Sequence, residues 1–247
     1  MKPVYRYFVQ PQLDIRTQTI FGYELLIKQL TPEGWRLPES FSAIDSSTMS
    51  KLLVATTKIL GLKVQYCSVN VSREQLVDTT VAQAIIQSQT QLYPAKLVVE
   101  LTEENSPSKY SDTNLIPHLR SFIEHGMQVS LDDVGTGIND FKSIQEFLPL
   151  ASEIKFALQN FRTGIKDPKI QQKLHFWHAI SREYGLRLIL EGIEDQDDAE
   201  LSSSFDINLR QGYYYGKPQL LRLPGDPVNM GLKMPLKNFF ICHFPLR

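Results

Sequence analysis

Cysteine is scarce in this chain. Its 247 residues include only two cysteines, Cys67 and Cys242, which lie far apart and form no Cys-x-x-Cys pair. A disulfide framework and a cysteine-ligated zinc site are therefore not expected. Because such scarcity is typical of proteins kept in a reducing compartment, we expect the chain to be cytoplasmic.

Long apolar runs and an excess of charge of one sign are also missing. No stretch approaches the roughly 18 apolar residues of a membrane span, and the N-terminal sequence MKPVYRYFVQ lacks the apolar region of a signal peptide. The formal net charge of −1 gives no general basic surface for a nucleic acid polymer or an anionic membrane. With 42% hydrophobic residues and no Pro/Gly/Ser linker in the middle, the sequence predicts one globular domain over residues 1–247.

What the sequence does contain is an alternation of short apolar runs with amphipathic stretches. Two segments, 30–40 and 102–114, are predicted to be loops, and three amphipathic stretches predict helices that end at Gly61, Gly126 and Gly185. Continuous apolar strands separated by helices are typical of parallel βα units. The predicted strands cover residues 5–10, 20–27, 66–71, 96–101, 127–132, 152–156, 186–192 and, more weakly, 207–213.

A polar side chain stands at or near the end of seven of these runs, at intervals of roughly 20 to 46 residues. An α/β barrel of the (β/α)8 type, with about 250 residues, repeats roughly every 30 residues and gathers its active site at the C-terminal ends of its strands. The sequence therefore predicts such a barrel with these side chains at one mouth. They are Glu24, Asn70, Glu100, Asp132, Lys155, Glu191 and Gln211.

The chemistry of this set predicts a metal site. Carboxylate and amide oxygens, without histidine or cysteine, suit Mg²⁺ or Mn²⁺ rather than structural zinc. The adjacent carboxylates of Asp132 and Asp133 are tolerable if one of them bridges two cations. Lys155 would then lie beside the ions, where it could deprotonate or orient the attacking water or stabilise charge on a phosphate. The predicted ligands are Glu24, Asn70, Glu100, Asp132, Asp133 and Glu191.

Taken one at a time, these features have ordinary explanations. An Asp-Asp-Val-Gly-Thr-Gly segment is most often a turn, an asparagine often ends a strand, and a lysine such as Lys155 is usually exposed or paired in a salt bridge. Only the occurrence of all of them together and in order favours a functional site.

The ordered motifs YELLIK, SVNVS, VVELTE, LDDVGTG, EIKFA, LEGIE and QGYYYGKP resemble those of the EAL domain, the bacterial cyclic di-GMP phosphodiesterase. The resemblance runs from about Gln10 to Pro218 and leaves residues 219–247 as a C-terminal extension. It implies a modified TIM barrel with one strand antiparallel to the rest. It also implies two Mg²⁺ or Mn²⁺ ions and hydrolysis of one phosphodiester bond of cyclic di-GMP to give linear pGpG.

The resemblance also implies roles for matching positions. The first metal would be held by Glu24, Asn70, Glu100 and Asp132. The second would be held by Asp132 and Asp133, with Glu191 nearby, directly or through water.

Catalysis would depend on Lys155, beside the nucleophilic water, together with Glu24 and Glu191. Substrate contacts are implied for Leu26, Lys28 and Gln211. Glu103 and Glu194 match two acids that steady neighbouring loops. The family also implies a homodimer as a possible assembly.

Several positions depart from the family pattern, among them Leu25, Lys28, Ala157 and Val134, which replaces a usual phenylalanine. The signature reads Glu-Leu-Leu over residues 24–26 instead of Glu-Ala-Leu. Lys28 stands where an arginine usually grips the substrate phosphate, so the charge is kept but the bidentate fork is lost. Ala157 stands where an aspartate usually follows two residues after the lysine, which removes a carboxylate near the second metal.

Three functions remain open at this stage. The predicted ligand set favours a metal-dependent phosphodiesterase, whereas Ala157 and Lys28 favour a cyclic di-GMP receptor without catalysis. A protein-interaction module is the third, although such a module has no physical reason to keep five carboxylates facing each other. No sensory or diguanylate cyclase domain fits beside the EAL-like one in 247 residues, so the sequence is expected to be a stand-alone domain or a piece of a larger protein.

Overall fold

The computed structural model describes residues 3–39, 41, 44–61, 64–102, 112–137 and 139–227, without the side chains of 112 and 113. The predictions for Glu103, for Cys242 and for the extension beyond residue 227 lie outside these residues.

Ten strands form one sheet in the described part of the chain. The first two are long and make a hairpin, and the others are short. They are β1 (Val4–Asp14), β2 (Thr19–Thr31), β3 (Gly34–Arg36), β4 (Tyr66–Val71), β5 (Lys96–Leu101), β6 (Gln128–Leu131), β7 (Glu153–Ala157), β8 (Arg187–Glu191), β9 (Leu209–Arg210) and β10 (Gln219–Leu220).

Eight of these strands close into a barrel in the order β1-β9-β8-β7-β6-β5-β4-β2, and the pairing of β2 with β1 completes the ring. Strands β2 and β4 to β9 run parallel to one another, whereas β1 is antiparallel to both of its neighbours in the ring, β2 and β9. This confirms the predicted modified TIM barrel with one antiparallel strand. Strands β3 and β10 extend the sheet beyond the ring, beside β2 and β1.

Helices connect the parallel strands. They are α1 (Ser46–Leu60), α2 (Arg73–Val77), α3 (Thr79–Thr90), α4 (Asp112–Glu124), α5 (Phe141–Ile144), α6 (Pro168–Tyr184) and α7 (Gln196–Ser202). Their starts are set by capping side chains: Asp45 accepts from the N–H of Thr48, and Ser72 and Gln75 form a reciprocal capping box. No helix among the described residues has both the length and the apolar character to cross a bilayer.

Alternation along the strands separates the core from the barrel interior. In β7, Ile154 and Phe156 are fully buried in the hydrophobic core that also contains Leu174 and Trp177 of α6. Because side chains alternate along a strand, Glu153, Lys155 and Ala157 face the opposite side, the inside of the barrel. The interior therefore carries polar groups at both ends, with Lys155 and Ala157 toward the C-terminal mouth.

Two loop predictions were partly wrong. The segment 30–40 contains the short strand β3, whose Trp35 packs against Phe8 of β1 with ring centroids 5.7 Å apart. Helix α4 begins at Asp112, inside the segment predicted to be a loop. The weak strand prediction over 207–213 is confirmed only for the two residues of β9.

Candidate metal centre

A single buried lysine lies at the centre of the mouth. Lys155 is 1% exposed, and its Nζ lies close to carboxylate oxygens from four other strands or strand ends. The distances are 2.7 Å to Glu191 Oε1, 3.0 Å to Glu100 Oε2, 3.6 Å to Glu24 Oε2 and 3.7 Å to Asp132 Oδ1. The structure thus brings together side chains that are up to 167 positions apart in the sequence because the C-terminal ends of barrel strands converge.

Two amide side chains hold Glu24. The Nδ2 of Asn70 on β4 donates to Glu24 Oε1 at 2.9 Å, and the Nε2 of Gln211, just after β9, donates to Glu24 Oε2. Since both amide groups donate to Glu24, their carbonyl oxygens face elsewhere. The structure therefore places three sequence-predicted site residues in one hydrogen-bonded unit.

The adjacent carboxylates Asp132 and Asp133 follow β6 directly. The backbone N–H of Asp133 donates to Asp132 Oδ1 at 3.0 Å, and Asp133 adopts a positive φ of 52°. Carboxylate oxygens of Asp132, Asp133 and Glu191 lie within 4.8 Å of one another. Both acids therefore point toward the mouth instead of separating into solvent.

Close packing requires a glycine at position 135, two residues after this pair. Gly135 has a φ of 87°, and a Cβ placed on it would lie 2.6 Å from Nε1 of Trp177 in α6. Its peptide oxygen accepts from Lys173 Nζ at 3.1 Å. The loop after Asp133 can pack against α6 only if this position has no side chain.

Burial and mutual repulsion raise the pKa of most of these acids. Burial raises the pKa of Asp132 to about 6, against the opposing effect of Lys155, and the neighbouring charge of Asp133 adds to it. Burial likewise raises the pKa of Glu191 to about 8 and that of Glu100 well above its usual range. In the absence of a cation, protons therefore neutralise part of this cluster at neutral pH.

Glu24 and Lys155 behave in the opposite way. Burial alone would raise the pKa of Glu24, but Lys155 and the two amides outweigh it and lower that pKa. Burial would lower the pKa of Lys155, yet Asp132, Glu100, Glu191 and Glu24 together raise it well above its usual value. In the cation-free protein Lys155 is therefore an ammonium ion at neutral pH.

The donor set fits divalent cations. Oε1 of Glu100 and Oε1 of Gln211 are buried and accept no hydrogen bond from the described residues, and such orphaned oxygens are costly unless something binds them. Five carboxylates against one ammonium leave four negative charges, which is the charge that two divalent cations supply. All of these donors are hard oxygen atoms, as Mg²⁺ and Mn²⁺ prefer.

Other predicted site residues lie further out. Leu26 and Lys28 follow Glu24 on the same face of β2, and Lys28 Nζ lies 4.5 Å from the ring centroid of Phe8. Leu26 lines a cavity of about 350 Å³ that also reaches Asn70 and Thr102. Glu194 is exposed in the loop before α7, where its backbone N–H donates to Asp198, and it is not among the acids that contact Lys155.

Two asparagines that were not predicted from the sequence donate hydrogen bonds to Asp132 and Asp133, which follow β6. The Nδ2 of buried Asn139 donates to the backbone oxygen of Asp132 at 2.6 Å. The Nδ2 of Asn160 donates to Asp133 Oδ1 at 2.7 Å. Neither stands at the end of a predicted strand, so the pattern that picked out the other residues carried no signal for them.

Ion binding should depend on pH because a cation binds only the deprotonated acids. Glu191 and Asp132 hold protons up to about pH 8 and 6 in the cation-free protein, so we expect the affinity for Mn²⁺ to rise between pH 6 and 8. The expected slope is about tenfold per pH unit for each proton displaced. Calorimetric Mn²⁺ titrations at several pH values measure it.

The Glu191→Gln variant is the control, since it lacks the group that titrates near pH 8 and should show a shallower slope above pH 7, where Glu100 still holds a proton. The same raised pKa values mean that the native cation-free protein holds protons that the unfolded chain has already lost. Its stability should therefore fall as pH rises through the same window. An Mn²⁺ affinity that stays constant from pH 6 to 8.5 would contradict this account.

Several curated proteins are similar to this chain in sequence. Signaling protein YkoW of Bacillus subtilis is 26% identical over 227 residues, a match that covers 85% of this chain and 27% of that protein. The probable cyclic di-GMP phosphodiesterase PdeD of Escherichia coli is 23% identical over 228 residues, covering 87% of this chain and 42% of that protein. The chain thus spans less than half the length of these two relatives.

A solved structure shares the fold. The crystal structure of a standalone versatile EAL protein from Vibrio cholerae, bound to c-di-GMP, matches with a TM-score of 0.67 at 19% identity. The match covers 89% of this chain and 94% of that one. The sequence model of the EAL domain matches residues 5–218, which is most of the sequence. The chain therefore belongs to the EAL domain family.

Proposed function

We propose that this chain hydrolyses one phosphodiester bond of cyclic di-GMP to give linear pGpG, with two Mg²⁺ or Mn²⁺ ions. The observation that carries the proposal is the excess of acids at the mouth: five converging carboxylates face one ammonium ion. A phosphodiester is itself an anion, so this cluster of acids attracts it only after cations are bound. Family membership and the names of the relatives supply the substrate.

The proposed ligands divide between the two ions as the resemblance to the EAL domain implies. Glu24, Asn70, Glu100 and Asp132 would hold the first ion, and Asp132 and Asp133, with Glu191, the second. When bound, the pair lowers the pKa of a water molecule and stabilises negative charge on the phosphate.

The four carboxylates around Lys155 raise its pKa well above the usual value in the cation-free protein, so this residue enters the site as an ammonium ion. We assign it to orienting the attacking water and to stabilising the charge that develops on phosphate oxygens. Glu24, fixed by Asn70 and Gln211, gives this arrangement a preorganised side chain.

Substrate contacts are proposed along β2. Leu26, at the wall of the 350 Å³ cavity, offers an apolar surface to a base. Lys28, held over the Phe8 ring, offers a single positive charge to a phosphate. Its pKa is lowered by partial burial and by Arg36, so a second cation lies near enough to reinforce it. Glu103 and Glu194 remain predicted loop-stabilising acids, and the homodimer and the cytoplasmic location also remain predictions.

A cyclic di-GMP receptor without turnover is the second candidate, and Ala157 is the observation that favours it. Ala157 is 1% exposed and is the direct neighbour of Glu191 in the pairing of β7 with β8. A carboxylate at this position would face the second ion, and the methyl group cannot replace it. Such a site would still bind ions and nucleotide but would activate water poorly.

Incubation of the protein with cyclic di-GMP and Mn²⁺ tests the main proposal. We expect pGpG to form, and EDTA to stop its formation. Calorimetry with Ca²⁺, which supports binding in place of the catalytic ion, measures affinity separately from turnover. Nucleotide binding without pGpG would favour the receptor, and neither binding nor pGpG would reject both proposals.

Restoring the missing acid should raise turnover. In Ala157→Asp the new carboxylate lies beside Glu191, so we expect kcat to increase about tenfold or more. Ala157→Asn has the same shape without the charge and should leave kcat near the wild-type value. Steady-state pGpG formation compares the three proteins. Equal kcat values for all three would show that the absent carboxylate does not limit the reaction.

A further inference from the structure

The turn that follows β7 touches residues on both sides of the proposed second ion. This turn is a 3-10 helix over Leu158–Asn160, immediately after Ala157. At its end, Asn160 Nδ2 donates to Asp133 Oδ1 at 2.7 Å. In its middle, the side chain of Gln159 lies against Gly192, the residue after Glu191, where a Cβ would collide with it. The turn therefore lies between Asp133, in the loop after β6, and Gly192, which follows Glu191 at the end of β8.

Separate contacts hold the backbone and the carboxylate of Asp133. Its φ of 52° is uncommon for a residue with a side chain, and it sits in a half-buried loop next to the like-charged Asp132. The hydroxyl of Thr136 donates to the backbone oxygen of Asp133 at 2.7 Å, which fixes the main chain but not the carboxylate. The hydrogen bond from Asn160 acts on the carboxylate itself.

The side-chain amide of Asn160 is a suitable hydrogen-bond partner for a carboxylate that binds a metal ion. An amide N–H is neutral and donates to one carboxylate oxygen, so it orients the group and leaves lone pairs for a cation. A lysine or arginine in its place would bring a positive charge next to the ion. Groups that hydrogen-bond to metal-ligating carboxylates commonly set metal affinity by their effect on ligand orientation.

We propose that Asn160 is a positioning residue for the second divalent cation: its amide holds the Asp133 carboxylate toward Asp132 and Glu191, at a site where Ala157 supplies no carboxylate. This inference rests on the proposed two-ion site and adds a residue to it. Because Ala157 leaves one acid fewer around the second ion, the affinity for this ion depends more on the orientation of Asp133 than it would with an aspartate at position 157.

An Mn²⁺ titration of the purified protein, followed by calorimetry and by electron paramagnetic resonance of the paired ions, tests this role. In Asn160→Leu we expect the affinity for the second ion to fall about tenfold and the magnetic coupling between the ions to weaken. The affinity for the first ion should not change. Asn114→Leu, an equally exposed asparagine on α4, is the matched control and should titrate like wild type.

A merely structural hydrogen bond predicts a different result. Because the bond is exposed, its loss would then lower the melting temperature slightly and leave both binding steps unchanged. Two unchanged binding steps in Asn160→Leu would overturn the inference while leaving the proposed function intact. Wild-type protein that takes up fewer than two ions would overturn the two-ion proposal itself, and the inference with it.

Discussion

Replacement of Glu24 by alanine should abolish hydrolysis of cyclic di-GMP and weaken Mn²⁺ binding about 100-fold or more. Glu24 has three polar contacts in the cluster, with Lys155, Asn70 and Gln211. Its lowered pKa means that it carries its charge even without a cation, unlike Glu100 and Glu191. It therefore provides the negative charge that is always available to the first ion.

The alanine variant has a second effect, because it leaves two amide groups without their acceptor. Each unpaired buried group costs roughly 1–3 kcal/mol of stability. Glu24→Gln separates the two effects, since its amide oxygen still accepts a hydrogen bond while the charge is lost. We expect Glu24→Gln to keep most of the melting temperature and to lose Mn²⁺ binding and turnover as alanine does.

Glu153→Gln is the matched control. Glu153 is a buried carboxylate at the other end of β7, where it pairs with Arg187 at 3.1 Å. Its replacement should lower stability but leave Mn²⁺ affinity and pGpG formation near wild type. Turnover and Mn²⁺ affinity that survive in Glu24→Ala would show that this residue is not a metal ligand.

The sequence predicted the mouth of the barrel well because one geometric rule applies there. Glu100, Asp132, Lys155 and Glu191 each stand at or near a strand end, and strand ends converge in a barrel whatever the loops do. Glu24 instead lies in the middle of the long strand β2. The direction of β1 did not follow from the apolar pattern, since a strand of either direction shows the same run. Only the resemblance to a family supplied it.

Features that depend on short local segments were missed. Strand β3 has three residues and helix α5 has four, so neither contains enough of a period to be recognised. Asn160 lies in a three-residue turn, and its link to Asp133 joins residues 27 positions apart. Such a contact exists only once β6 and β7 are paired, and no single segment of the sequence encodes it.

The protonation states of Lys155 and the surrounding acids also could not be predicted from the sequence alone. The sequence gives Lys155 and the acids their ordinary charges, which left open whether this lysine removes a proton or keeps one. Burial among four carboxylates indicates that it keeps its proton in the cation-free protein, since these neighbours raise the pKa of Lys155. The role of a titratable group therefore follows from its surroundings more than from its residue type.

This reasoning leads to the second large effect, on stability. Lys155→Met should lower the free energy of unfolding of the cation-free protein by about 3–5 kcal/mol at pH 8, the usual cost of removing one partner from a buried ion pair. It should also reduce turnover about 100-fold or more. Chemical denaturation in EDTA measures the first effect, and pGpG formation with Mn²⁺ the second.

The stability loss should shrink as pH falls from 8 to 5.5, because the remaining acids then take up protons that replace the missing positive charge. Saturating Mn²⁺ should restore stability at pH 8 for the same reason, since cations that bind only the folded state stabilise it. Turnover should stay low under these conditions, because the ions replace the charge of Lys155 but not its position.

Lys166→Met provides the comparison. Lys166 pairs with Asp197 at 3.0 Å, but the two side chains are 61% and 69% exposed, and such surface pairs contribute little. Its stability should match wild type at both pH values. If Lys155→Met in EDTA at pH 8 were as stable as wild type, the four carboxylates would already be neutral without the lysine. In that case the cluster of acids at the mouth of the barrel would not hold the excess negative charge from which the two-ion site is inferred.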